Sequence, residues 1–213
     1  MEETQFCLNQ SMDVIWQAVW GQITAFSWVE WAATLIALGY VWLTSRQQSR
    51  GWWWGVVSCA LWAYASFFLY QLYLDAILQI FYVVMGVWGW YQWKYGGVGN
   101  DELPVSSLPF FSHALLIGMG VVAAVLLAWF FDTQTLSAAP WWNAPLTVFS
   151  ILATFLLIKK KWEVWIYWIV IDIAYGVLYS IQGACLFALV MMIYVVIAVK
   201  ALSSWRAGFQ KRS

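Results

Sequence analysis

Seven stretches of mostly apolar residues, each close to the length of a membrane-spanning helix, dominate this 213-residue sequence. A helix needs about 20 such residues to cross the hydrocarbon core of a bilayer. Charged residues make up only 9% of the chain, against about 25% in soluble domains, so there is too little polar surface for water. The sequence predicts an all-α integral membrane protein with seven transmembrane helices, at residues 28–43, 52–70, 72–93, 114–131, 144–158, 162–179 and 184–202.

The basic residues predict how these helices are oriented. With seven crossings, all ten Lys and Arg fall on one side of the membrane and none on the other. Lys and Arg collect on the cytoplasmic side of membrane proteins. We therefore expect the N-terminus outside and the C-terminus in the cytoplasm. The basic residues are Arg46, Arg50, Lys94, Lys159, Lys160, Lys161, Lys200, Arg206, Lys211 and Arg212.

The first three and last three helices resemble each other. Each half has a basic connection after its first helix, and a shift of 112 residues places Tyr82 on Tyr194 and Trp93 on Trp205. Two units of three helices in direct succession would be inverted, and one extra helix between them restores a parallel orientation. Parallel repeats are a transporter design, with the substrate held between the halves. The sequence predicts a 3+1+3 arrangement of two triple-helix repeats.

This arrangement divides the chain into seven parts. The N-terminal segment is expected to contain a short interfacial helix, from Val14, Ile15, Trp16, Val19 and Trp20. The parts are an extracytoplasmic segment (1–27), a first triple-helix bundle (28–93), a cytoplasmic linker (94–113), a linker helix (114–131), an extracytoplasmic loop (132–143), a second bundle (144–205) and a cytoplasmic tail (206–213).

Asp172 lies near the middle of the sixth apolar stretch, between Ile171 and Ile173. A carboxylate at that depth costs about 2.5–3.5 kcal/mol on insertion scales. No intramembrane Lys or Arg is available to pair with it. Its countercharge is therefore a proton or a cationic ligand, and the alternative is a protonated Asp hydrogen-bonded to a neighbouring helix.

Two helix faces combine aromatic and polar side chains at steps of three and four residues, which places them on one side of a helix. Together they could enclose a flat polar ring, since aromatic faces attract cations and an amide reads ring substituents. The first face comprises Trp165, Trp168, Asp172, Tyr175 and Tyr179. The second comprises Asp75, Gln79, Tyr82, Gly86 and Trp90, with Trp93 below.

The alternative for these aromatic residues is ordinary packing plus anchoring at the membrane surface, where Trp and Tyr are enriched. For six tryptophans that alternative is preferred: Trp52, Trp53, Trp54, Trp141, Trp142 and Trp205. Glu30 and Asp75 lie nearer helix ends, where solvation is easier, and carry less functional weight.

Other classes of function find little support. One histidine, His113, and three cysteines without CxxC spacing predict no metal site, no cofactor and no catalytic residues. A retinal protein would need a lysine within the last helix, whereas Lys200 lies at its cytoplasmic end. An intramembrane enzyme would need a nucleophile and a base, or clustered metal ligands.

Several motifs resemble the PnuC family of vitamin transporters. They are LYLDAILQIFY at 72–82, GWYQW at 89–93, WVE at 28–30, and EVWIYW at 163–168 followed by Asp172. The resemblance covers about residues 28–206. It implies a fold related to the SWEET sugar transporters, a homotrimer, and location in the bacterial inner membrane.

The resemblance also implies a function. The family moves nicotinamide riboside or a related vitamin by facilitated diffusion, without a coupling ion or ATP, and a cytoplasmic kinase traps the vitamin. The implied ligand contacts map to Gln79, Tyr82, Trp165, Trp168 and position 172, and Tyr175 lies on the same face.

Position 172 departs from the family pattern. Nicotinamide riboside carriers are expected to have Asn there, whereas this chain has Asp172. An acid can pair with a cationic ring or accept from an aminopyrimidine, and thiamine offers both. The first prediction is nicotinamide riboside, the alternative is thiamine, and riboflavin is a further branch of the family.

Overall fold

The described part of the chain is helical. The computed structural model describes residue 17, residues 19–134 and residues 139–211. Within these ranges there is no strand, only an isolated β-bridge between Ser106 and Lys161. The helices are α1 (Val19–Ala25), α2 (Trp28–Ser45), α3 (Gly51–Tyr64, continuing as a wider π-type turn over Ala65–Leu69), α4 (Tyr73–Tyr95), α5 (Phe110–Gln134), α6 (Pro140–Ile158), α7 (Val164–Ile181) and α8 (Cys185–Gln210).

The seven apolar stretches correspond to α2–α8. Most ends agree within four residues, but α8 continues eight residues past the predicted end. Its extension carries Arg206 and Trp205, because helical hydrogen bonding is not limited to the apolar zone. Of the expected interfacial helix, α1 is present from Val19, while Val14, Ile15 and Trp16 lie outside the described residues.

The start of α2 is set by local chemistry. The Ser27 side chain accepts from the Glu30 amide, and Glu30 Oε2 accepts from Ser27 N at 2.9 Å, forming a capping box. This pairing satisfies main-chain donors that have no partner within the helix. The chain bends by 110° between α1 and α2 at this point. Glu30 therefore has a structural role in addition to any other.

The six helices α2–α4 and α6–α8 form a closed ring. Neighbours in sequence pack side by side within each half, and the halves meet where α2 packs on α8 and α4 packs on α6. Exchanging α2–α4 with α6–α8 leaves this pattern unchanged. Helix α5 packs against α6 and exposes most of its apolar surface.

The two ends of the ring differ in charge. The ends of α2, α4, α6 and α8 that carry Arg46, Lys94, Lys159 and Arg206 are called the basic end below. At the opposite end, the Gln22 side chain of α1 brackets the turn between α7 and α8. It donates to the Gly183 carbonyl at 2.6 Å. Its oxygen accepts from the Leu186 amide at 2.9 Å.

Length and composition support five or six membrane spans. Five helices are each long and apolar enough to cross: Gly51–Leu69 and α5–α8. Helices α1 and α2 make a sixth if the bent pair is one span. A multi-pass membrane protein follows from this count, and seven crossings in a 3+1+3 arrangement remain a prediction.

Candidate functional site

The ring encloses an inner cavity of about 310 Å³. That volume lies at the lower end of the range for small-molecule sites, about 300–1,000 Å³. All six ring helices contribute to its wall. Most of the wall is aromatic: Tyr40, Trp52, Trp62, Tyr82, Trp165, Trp168, Tyr175, Tyr179 and Tyr194.

Asp172 is the one charged side chain in this wall. It is 6% exposed and makes no ion pair within the described residues. Ser58, Ser150 and Thr154 supply hydroxyl groups to the same wall. A buried carboxylate is stable only when it is paired, hydrogen-bonded or protonated. This cavity therefore suits a flat ligand of moderate polarity that carries positive charge.

An outer groove of about 1370 Å³ leads away from the inner cavity toward the end opposite the basic end. Both are lined by Trp62, Tyr175, Tyr179, Met191 and Tyr194, so they adjoin each other. The groove adds Glu30 and Asp75, and its wall contains no Lys or Arg. A cation entering by this route meets acidic groups and no basic one.

Glu30 is held at the rim of the groove. Besides its bonds to Ser27, its Oε1 accepts a hydrogen bond from the Tyr70 hydroxyl. This contact joins the start of α2 to the end of α3, and both side chains line the groove. Glu30 thus fixes the shape of the entrance and also contributes to its negative charge.

The structure places five of the six predicted substrate-binding residues around the inner cavity: Tyr82, Trp165, Trp168, Asp172 and Tyr175. Gln79 lines the outer groove instead. It lies one turn before Tyr82 on α4, nearer the groove end. That these residues bind substrate stays a prediction.

Several wall residues were not predicted from the sequence. Tyr40 of α2, Trp52 and Cys59 of α3, and Tyr194 of α8 all face the inner cavity. The shift of 112 residues that pairs Tyr82 with Tyr194 was the one sequence signal that could have found Tyr194. Nothing in the spacing of α2 or α3 distinguishes a cavity-facing aromatic residue from a lipid-facing one.

The six tryptophans assigned to packing or anchoring divide into two groups. Trp53, Trp54, Trp141 and Trp142 are exposed on the outside of the helices. Trp52 and Trp205 are buried, and with Trp93 and Trp165 they form one cluster inside the basic end. Anchoring at the membrane surface therefore does not describe Trp52 or Trp205.

The linker before α5 covers the same end. Its Leu103 amide donates to the Trp93 carbonyl at 3.0 Å. The Leu108 amide donates to Glu163 Oε1 at 2.9 Å, and Lys161 Nζ donates to the Ser107 carbonyl at 2.8 Å. The linker is thus fastened to the start of α7 rather than free in solution.

His113 belongs to this docked region and not to a cavity. Its Nδ1 lies 2.8 Å from the Tyr167 hydroxyl, and its Nε2 lies 3.9 Å from Glu163 Oε1. Among the described residues no group of three or more His, Cys, Asp or Glu is arranged to hold a metal ion.

A ring of apolar helices around a cavity that joins an open groove is the architecture of a multi-pass membrane transporter. The model of the nicotinamide mononucleotide transporter family matches residues 27–207, and the chain belongs to that family. The family resemblance inferred from the motifs is thereby confirmed. The family is one of transporters, which are not enzymes.

Named relatives point to vitamins. The chain is 26% identical to the nicotinamide riboside transporter PnuC of Escherichia coli strain K12, over 87% of this chain and 88% of that protein. It is 27% identical to the riboflavin/roseoflavin transporter RibM of Streptomyces davaonensis, over 58% of this chain and 60% of that protein.

The fold is shared with a solved structure. A crystal structure of the vitamin B3 transporter PnuC aligns with a TM-score of 0.71 and 21% identity, covering 93% of this chain and 91% of that one. The likeness establishes the fold, and the substrate must be argued from the cavity.

Proposed function

We propose that this protein carries an unphosphorylated, positively charged vitamin across the bacterial inner membrane, with nicotinamide riboside as the first candidate. The observation that carries the proposal is Asp172, the one charged group in the wall of an aromatic cavity that contains no Lys or Arg. Nicotinamide riboside has a pyridinium ring, which is both flat and cationic. Aromatic faces attract such a ring by about 0.5–2 kcal/mol each.

Thiamine is the second candidate, because it also has a cationic ring and its aminopyrimidine can donate to a carboxylate. Asp172 favours this candidate specifically, since an Asn at that position could not provide a countercharge. Riboflavin is uncharged and gains nothing from Asp172. The riboflavin/roseoflavin transporter among the relatives matches only 58% of this chain.

We further propose that transport is facilitated diffusion. In this scheme seven helices form a 3+1+3 arrangement, with the N-terminus outside and the basic end in the cytoplasm. The two halves of the ring rock to expose the cavity to each side in turn, and three copies assemble as a homotrimer. A cytoplasmic kinase phosphorylates the vitamin and makes uptake directional. The asymmetry of Lys and Arg supports the orientation.

Two other classes of function remain without support. A retinal protein would need a lysine facing the interior, but Lys200 is exposed on α8 and lines neither cavity. The family match argues against an intramembrane enzyme.

The experiment is uptake into proteoliposomes that contain the purified protein. We expect saturable entry of labelled nicotinamide riboside or thiamine without an ion gradient or ATP, and none of riboflavin. Empty liposomes are the control. Saturable uptake of neither cation, with or without an ion gradient, would refute the proposal.

A further inference from the structure

The basic end of the inner cavity is closed by four buried tryptophans, two from each half of the ring. Trp52 and Trp165 line the cavity, and Trp93 and Trp205 pack against them outside its wall. Neighbouring ring centroids lie 5.5 Å apart for Trp52 and Trp93, 5.7 Å for Trp93 and Trp205, and 5.4 Å for Trp205 and Trp165. Each side chain is at most 2% exposed.

Two of these indoles bond across the boundary between the halves. Trp93 of α4 donates its N–H to the Leu157 carbonyl of α6 at 2.9 Å. Trp205 of α8 donates to the Ser45 carbonyl of α2 at 2.7 Å. A shift of 112 residues converts one contact into the other. We call these two hydrogen bonds the latches, because each joins one half of the ring to the other.

The other two indoles lack such partners. The Nε1 atoms of Trp52 and Trp165 are buried, and neither has an acceptor among the described residues. A buried donor without an acceptor has lost its water and gained nothing in return. The cluster therefore opposes two effects: the latches favour the closed arrangement, whereas the stranded N–H groups favour one that gives them water or a ligand.

We propose that these four tryptophans are the gate of the transporter at its basic end. The latches hold the gate shut, and the stranded donors keep the open state close in free energy. A protein that alternates between two states needs them to be close in free energy, since only then are both populated. The inference rests on the proposed function, because a carrier must open this end to release its substrate.

Cys59 provides a test, because it lies in the cavity wall. Replacing Cys7 and Cys185 by Ser leaves Cys59 as the one thiol of the parent variant. In proteoliposomes without vitamin, a membrane-impermeant thiol reagent is applied from the basic side, and the rate of Cys59 labelling is measured. This rate reports how often the gate opens.

Trp93→Phe and Trp205→Phe each remove one latch and keep an aromatic ring. We expect each to raise the labelling rate about fivefold, and the two together about 25-fold, from the usual contribution of one hydrogen bond per latch. The equivalence of the latches predicts equal effects for the two single variants.

Trp52→Phe and Trp165→Phe should act in the opposite direction. Each removes a stranded donor, so the closed state gains stability and the labelling rate falls below that of the parent. The matched control is Trp53→Phe, next to Trp52 in the sequence but 44% exposed, which should keep the parent rate. A purely structural role for the cluster would not reverse the sign.

Latch variants that fold normally and label at the parent rate would overturn the gate, as would a higher rate in Trp52→Phe. Size-exclusion elution and the thermal midpoint report folding. If the double variant fails to fold, the single variants decide, because each retains one latch. Labelling needs no vitamin, so latch-dependent labelling in a protein that takes up neither vitamin would refute the proposed substrate and leave the gate standing.

Discussion

Gly89 of α4 lies so close to Trp52 of α3 that a Cβ at residue 89 would be 2.7 Å from the indole ring. Real Cβ contacts of that length essentially never occur, so the ring or the helix would have to move. The face of Trp52 is thus set directly on the main chain of α4. The absence of a side chain at Gly89 allows α3 and α4 to close around the tryptophan cluster.

Gly89→Ala should destabilise the protein, because Trp52 is buried and has no free space to move into. Overpacking of this kind costs about 1–3 kcal/mol. Thermal unfolding in detergent should show a lower midpoint. The control is Gly118→Ala in α5, where an added Cβ would have no neighbouring atom within 4 Å. That variant should be neutral or slightly stabilised, and an equal loss in both would contradict this account of Gly89.

Asp172→Asn should change which vitamin is preferred more than it changes folding. Removing the carboxylate withdraws the countercharge for a cationic ring and the acceptor for an aminopyrimidine. We expect the ratio of thiamine to nicotinamide riboside uptake to fall about tenfold, equivalent to about 1.4 kcal/mol. Competition between the labelled vitamins in proteoliposomes measures this ratio.

The matched control for this change is Asp132→Asn, at the exposed end of α5 and outside both cavities. Its uptake ratio should equal that of the unmodified protein. An equal loss of both vitamins in Asp172→Asn, with normal expression, would assign Asp172 a structural or gating role instead.

Trp168→Ala should weaken binding more than Gln79→Ala. Trp168 faces the inner cavity, whereas Gln79 lines the outer groove. Loss of an aromatic face costs about tenfold in affinity, from the upper range of cation–π energies, whereas we expect less than about threefold for Gln79. Equilibrium binding of nicotinamide riboside and thiamine tests the order. Trp141→Ala, on an exposed side chain, is the control, and the reverse order would place the ligand in the groove.

Glu163→Ala should release the linker from the start of α7. Glu163 Oε1 accepts from the Leu108 amide, and hydrogen bonds to charged groups contribute about 1.5–3 kcal/mol. Amide exchange at Leu108 should accelerate about 30-fold as the segment opens locally. Hydrogen–deuterium exchange measures this rate. Glu102→Ala, an exposed change in the same linker, should leave it unaltered. Equal acceleration in both variants would argue against docking through Glu163.

The helices could be predicted from the sequence because the transition from apolar to charged residues marks where each one leaves the membrane. The errors occur where that transition and the helix end do not coincide. Helix α6 begins at Pro140, four residues early, because proline suits the first turn of a helix. Helix α8 ends well beyond its apolar part.

The site could be predicted only in part. The spacing of Trp165, Trp168 and Asp172 places them on one face of α7, and that face lines the inner cavity. Gln79 shares a face with Tyr82 but lies one turn away along the axis, which is enough to place it in the outer groove. Periodicity specifies the direction of a side chain around a helix, but not its depth relative to residues on other helices.

The sequence by itself determined the membrane location, the helices and their approximate ends, and the family. Each of these depends on residues close together in the chain. Only the tertiary structure decided that Trp205 donates to Ser45, 160 residues earlier, and that Trp52 closes a cavity rather than anchoring in lipid. A buried tryptophan and an interfacial one are the same residue at the end of an apolar helix, and the packing of the neighbouring helices distinguishes them.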